Sequence, residues 1–138
     1  MATTDRAGAA TARTARPRNA LYSALIGIVT LLVLLQALWA GLFIREGHDY
    51  RANWVHVHQI GADTAIVLTL VAAVVAFVKL RSRRDLLVGT VAMFVLLVLE
   101  GYLGGLIGGH QGATTIHIPL GMALMALAVW LPMRATRP

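Results

Sequence analysis

Apolar residues run in four long blocks, near 21–44, 55–78, 86–108 and 115–133, and the stretches between them hold most of the charged side chains. Each block approaches or exceeds the roughly 20 residues that a helix needs to cross about 30 Å of hydrocarbon. No stretch alternates with period two, and in lipid only helices or closed barrels satisfy the backbone. The pattern predicts an all-α membrane protein, a bundle of four transmembrane helices. Residues 1–20 are small, polar, basic and aperiodic, and read as a disordered tail. Residues 21–133 then form the transmembrane domain, and 134–138 a short C-terminal end. The first block exceeds the roughly 7–15 apolar residues of a cleaved signal peptide and reads as a retained helix.

Charge sets the expected orientation. Arg6, Arg13, Arg16 and Arg18 precede the first block, and Lys79, Arg81, Arg83 and Arg84 fill the second loop. Arg134 and Arg137 follow the fourth block, leaving only Arg45 and Arg51 on the opposite side, beside Glu46 and Asp49. Ten of the 12 basic residues therefore share one face, which the positive-inside rule makes cytoplasmic. Both termini are expected inside, in a bacterial cytoplasmic membrane. The net charge of +6 is thus a topology signal; without a basic patch interleaved with aromatics, it does not indicate nucleic acid. The chain has no cysteine, which excludes disulfides, thiolate metal sites and thiol nucleophiles.

The two halves are alike in sequence. LLQALWAGLF, residues 34–43, matches VLEGYLGGLI, residues 98–107, so that Gln36 aligns with Glu100. The following blocks open with VHVHQIG and TIHIPLG, ending at Gly61 and Gly121. A two-helix unit repeated in the same orientation predicts a pseudo-twofold axis along the membrane normal, relating helices 1–2 to helices 3–4.

All five histidines fall toward the expected outer side. His48 and His110 lie in loops or at helix ends and read as solvated. His56, His58 and His117 enter the apolar blocks. Positions three, four and seven residues on share a helix face. From His58 these are Gly61, Ala62 and Ala65; from His117 they are Leu120, Gly121 and Leu124. Each of these two histidines has a glycine one turn deeper, which gives the clearance that a flat macrocycle requires. The face of His56 carries Gln59 and Asp63 instead, so His58 is the preferred ligand and His56 the alternative.

Two acids lie inside the blocks. Placing an Asp at a helix centre costs about 2.5–3.5 kcal/mol, so such acids face a bundle interior and mark a site. Asp63 is expected to make an interhelical hydrogen bond, with Gln59 and Asn53 nearby. Glu100 is expected either to bond Gln36 or to orient a ligand histidine through its second nitrogen. Gly101, Gly105 and Gly109, with Gly104 and Gly108, permit close helix approach. Trp39, Tyr50, Trp54, Tyr102 and Trp130 are expected in the interfacial belts.

A histidine at the outer start of the second helix and another at the outer start of the fourth resemble one four-helix half of the haem A synthase (CtaA-type) family. Four-helix membrane b-type cytochromes are similar in the same way. The resemblance spans roughly residues 21–133 and rests on helix order, His58, His117, Gly61, Gly121, Gln36 and Glu100. It implies His58 and His117 as axial ligands of a b-type haem. The synthase pattern has a glutamate three residues before the histidine of its second helix and an arginine after it. Val55 and Gln59 occupy those places around His58, and Asn53 stands three before His56. Haem A synthesis itself is therefore not expected.

The expected function is a haem-binding electron carrier or an accessory subunit of a membrane redox complex. Its partners would be the bilayer, other redox subunits or a second copy of the chain. Two alternatives remain at this point. His48, His56, His58, His110 and His117 gathered on one face would bind copper or zinc, with Glu100 and Asp63 relaying protons. A purely structural subunit would have no cofactor. No nucleophile–base–acid constellation or phosphate loop is present, so independent catalysis is not expected.

Overall fold

The computed structural model describes residues 19–45, 48–110 and 112–137, with the side chains of 45–52 left aside. Four helices follow one another: α1 (Ala20–Arg45), α2 (His48–Lys79), α3 (Arg84–Leu106) and α4 (Ala113–Thr136). Each is long and apolar enough to cross a membrane, so the architecture is that of a multi-pass membrane protein. Residues 1–18 of the expected tail and the side chain of His48 lie outside the described residues, while Ala20 already belongs to α1.

Helix bounds exceed the apolar blocks most clearly at α2, which begins seven residues before Val55. Apolar pattern reports hydrocarbon thickness, whereas the helical backbone continues through HDYRANW because no glycine or proline interrupts it. The connection from α3 to α4 does break. Gly108 and Gly112 stand at φ +102° and +116°, a region that a side chain would strain. The turn from α2 to α3 is tight, closed by Arg83 N–H on the Leu80 carbonyl at 2.8 Å.

Sequential neighbours pack side by side, and α1 also meets α4, closing a ring in which α2 faces α4 and α1 faces α3 across the diagonals. Every helix points its buried residues inward at the same spacing. The seams are Tyr22, Ile26, Val29 and Val33; Ala65, Thr69, Ala72 and Ala76; Leu86, Thr90, Met93 and Leu97; and Leu124, Ala128, Leu131 and Ala135. Steps of four and three residues alternate, seven for every two turns, the spacing of knobs-into-holes packing. Alanines on the α2 seam bring its backbone close to the axis, as small residues do where lipid supplies no hydrophobic drive for association.

Hydroxyls inside this core are all satisfied. Thr90 donates to the Leu86 carbonyl and accepts from Tyr22, whose hydroxyl lies 2.7 Å away across the bundle. Thr30 lies 2.7 Å from the Ala128 carbonyl and so ties α1 to α4. At the end where α1 begins and α4 ends, Asp85 bridges two arginines. Its oxygens meet Arg83 Nε and Nη2 at 3.2 Å and Arg134 Nε at 2.7 Å. Arg83 also donates to the Arg134 carbonyl at 2.8 Å.

Candidate functional site

At the opposite end, the bundle interior holds two histidines. His58 on α2 and His117 on α4 sit on the diagonal, with ring centroids 6.5 Å apart and ring planes at 63°. The backing of each ring comes from the preceding helix. His58 Nδ1 lies 3.2 Å from the Gln36 carbonyl of α1, and His117 Nδ1 lies 3.2 Å from the Glu100 carbonyl of α3. The residues that align in sequence thus stand behind the two imidazoles. They do not bond each other.

The side chains of these backing residues differ. Glu100 Oε1 lies 3.2 Å from His117 Nδ1, so both neighbours of that nitrogen are oxygens. Nδ1–H therefore donates, and Nε2 carries the lone pair that a metal takes. Gln36 satisfies most contacts with its amide nitrogen 2.9 Å from the His58 carbonyl and its oxygen 3.2 Å from Ala62 N–H. That orientation also brings the amide nitrogen 2.9 Å from His58 Nδ1, making Nδ1 an acceptor. Rotating the amide makes Nδ1 a donor to both Gln36 oxygens and frees the Nε2 lone pair. His117 is set for ligation; His58 becomes so by an amide rotation.

The glycines have other uses than those expected of them. A Cβ at Gly61 would overlap the Trp39 indole and stand 2.6 Å from the Gln36 amide, so protein side chains take that space. At Gly121 the occupant is Glu100 Oε1, 3.0 Å from where a Cβ would stand. Gly104, read from sequence as helix packing, in fact seats His117, whose Cε1 is 3.2 Å from a Cβ position there. The clearances at Gly61 and Gly121 thus hold Gln36 and Glu100 against the helices that carry the histidines; they are not a slot for a macrocycle. Phe43 stands edge-on to His58, with centroids 5.4 Å apart. Gly61→Val is expected to destabilise the protein by about 1–3 kcal/mol, the cost of overpacking, and to displace Trp39. Thermal unfolding and tryptophan emission in detergent measure both.

His56 and His110 are exposed and point away from the pair. Among the described residues no three His, Cys, Asp or Glu side chains converge, so His56, His58, His110 and His117 do not form one cluster. Asp63 differs from expectation. Its carboxyl is exposed on α2 and has no hydrogen-bond or ion-pair partner among the described residues, Gln59 and Asn53 included. Trp39 and Trp130 each cover a glycine, Gly61 and Gly89 respectively. Tyr102 is 65% exposed.

No protein-family model, curated protein or solved structure matches the chain. Function must therefore be argued from the site.

The donor set can be tested against one metal ion. Two imidazoles on a common transition metal, at about 2.0–2.1 Å per bond, place their ring centroids roughly 6.3 Å apart. The 6.5 Å separation fits that span. An angle between ring planes is no obstacle, because each ring turns freely about its own metal–nitrogen bond. The spacing of the two imidazoles is that of a pair of ligands on one metal ion.

Proposed function

We propose that this protein is a haem-binding subunit of a membrane electron-transfer system, with His58 and His117 as its two axial ligands. The observation that carries the reading is the diagonal imidazole pair, 6.5 Å between centroids, each backed at Nδ1 by a carbonyl from the preceding helix. When bound, a b-type haem supplies one-electron chemistry at a potential set by its ligands and surroundings. The chain's own contribution is to aim two Nε2 atoms inward and to exclude water with Trp39 and Phe43. Glu100 and Gln36 fix the rings. The resemblance to one half of the haem A synthase family supports the same assignment.

On this reading the two halves are repeats, because Gln36 serves His58 as Glu100 serves His117. The arginine-rich end faces the cytoplasm and the haem lies near the outer leaflet of a bacterial cytoplasmic membrane. The test is an absorption spectrum of the protein purified from haem-replete cells, oxidised and then reduced with dithionite. A Soret band that sharpens on reduction, with a resolved α band, is the expected result. A colourless preparation carrying copper or zinc would replace haem with a simple metal site, and one carrying neither would end the cofactor reading.

A further inference from the structure

The exposed face of α2 carries a polar stripe where lipid is expected. His56, Gln59 and Asp63 follow one another at three- and four-residue steps, and all three are exposed. Asp63 lies about 7.5 Å deeper in the bundle than His58, five residues along the helix. Within the apolar span Asn53–Lys79 it stands ten residues from one end and sixteen from the other. It therefore lies within the apolar span and not at its end. Thr64 beside it bonds its own helix, at the Ile60 carbonyl, and offers Asp63 nothing. Intramembrane carboxyls face a protein interior or a water-filled cavity almost without exception. Among the described residues Asp63 is exposed and has no polar partner, so an assembly would supply that interior.

A second copy of this chain is the occupant that the stripe fits. In a twofold pair with its axis along the membrane normal, the same patch meets itself and equal residues lie at equal depth. The stripe is complementary to itself: Gln59 supplies amide N–H donors and Asp63 supplies carboxyl acceptors. Ile60 and Val67, 52% and 58% exposed, flank Asp63 on the same face and give the contact its apolar surface. We propose that α2 pairs with α2 of a second copy, with Asp63 and Gln59 hydrogen-bonded across the contact. This holds with or without a cofactor at the histidine pair.

The absence of cysteine makes the test direct. Single cysteines are placed at Ile60 or Val67, and at Met122 on α4, 71% exposed, as a control. Mild oxidation in native membranes is expected to give a covalent product of twice 14.8 kDa from Ile60→Cys and Val67→Cys, and little from Met122→Cys. Adding Asp63→Leu to Val67→Cys should lower the dimer fraction about tenfold, the effect of one intramembrane hydrogen bond. Since Asp63 has no hydrogen-bond or ion-pair partner among the described residues, that change is expected to leave the fold intact. The proposal is overturned if cross-linking is equal at all three positions, or absent at both α2 positions. It is equally overturned if Asp63→Leu leaves the dimer fraction unchanged, or if the adduct has another mass and contains a different protein.

Discussion

His117→Leu is expected to abolish the Soret band, while His58→Leu leaves a weaker band of altered shape. The difference follows from what stands behind each ring. His117 Nδ1 faces two oxygens, so its Nε2 lone pair is ready before any metal arrives. His58 shares its Nδ1 between a carbonyl and an amide, and the amide must turn before Nε2 is available. Loss of the prepared ligand therefore removes more affinity than loss of the other. Second-shell changes alone alter metal affinity by about 10–100-fold, and loss of a ligand should exceed that. Gln36→Glu would give His58 the same oxygen backing as His117 and is expected to raise haem occupancy in the His117→Leu background. Haem content per protein, by pyridine haemochrome, measures all three variants. Unchanged spectra in both histidine variants would remove these residues from the ligand set.

Asp85→Leu is expected to cost about 2–3 kcal/mol of stability, more than any other single charge removal in the described bundle. Among the described residues its carboxylate is the only acidic partner of Arg83, whose side chain is 3% exposed. Once it is gone, the guanidinium keeps the Arg134 carbonyl at 2.8 Å, while Nη1 has no partner even in the intact protein. Breaking a buried pair leaves an uncompensated charge and costs about 3–5 kcal/mol. The lower figure here reflects Asp85 being 24% exposed. Arg134→Met is the control. It removes the 2.7 Å partner but leaves Asp85 on Arg83, and should cost below about 1 kcal/mol. Thermal unfolding of both variants in one detergent decides the matter. Equal losses would mean that the carboxylate is not what holds Arg83 in place.

Helix number and class were legible because hydrophobic run length reports membrane thickness directly. The inward face of each helix was not. Val29 and Ile28 differ only in which side they face, one buried and the other 50% exposed, because lipid and core are equally apolar. The 3.5-residue seam is visible only once the bundle is closed. The choice of His58 over His56 as the inward ring was readable, since His56 shares its face with Gln59 and Asp63. The functions of the glycines were not, because small residues look alike whether they admit a macrocycle, a neighbouring helix or an indole ring. Gly104 stands four residues after Glu100 on α3, and that spacing was the available signal that both address His117. The Arg83–Asp85–Arg134 network was hidden differently. Its basic members were absorbed into the count that sets topology, and nothing in the sequence says that one of them is buried.

The four seams end together, at Val33, Ala65, Leu97 and Leu124, about a turn or two short of the histidine level. One end of the barrel of helices is solid and the other is closed only by rings and long side chains. The two ends are therefore energetically separable. Melting temperature should follow the packed base, while the rate at which a guest enters or leaves should follow rotamer motion of Trp39 and Phe43 at the mouth. On the haem-binding reading proposed above, a guest would exchange at the histidine end while the packed base keeps the helices in the bilayer.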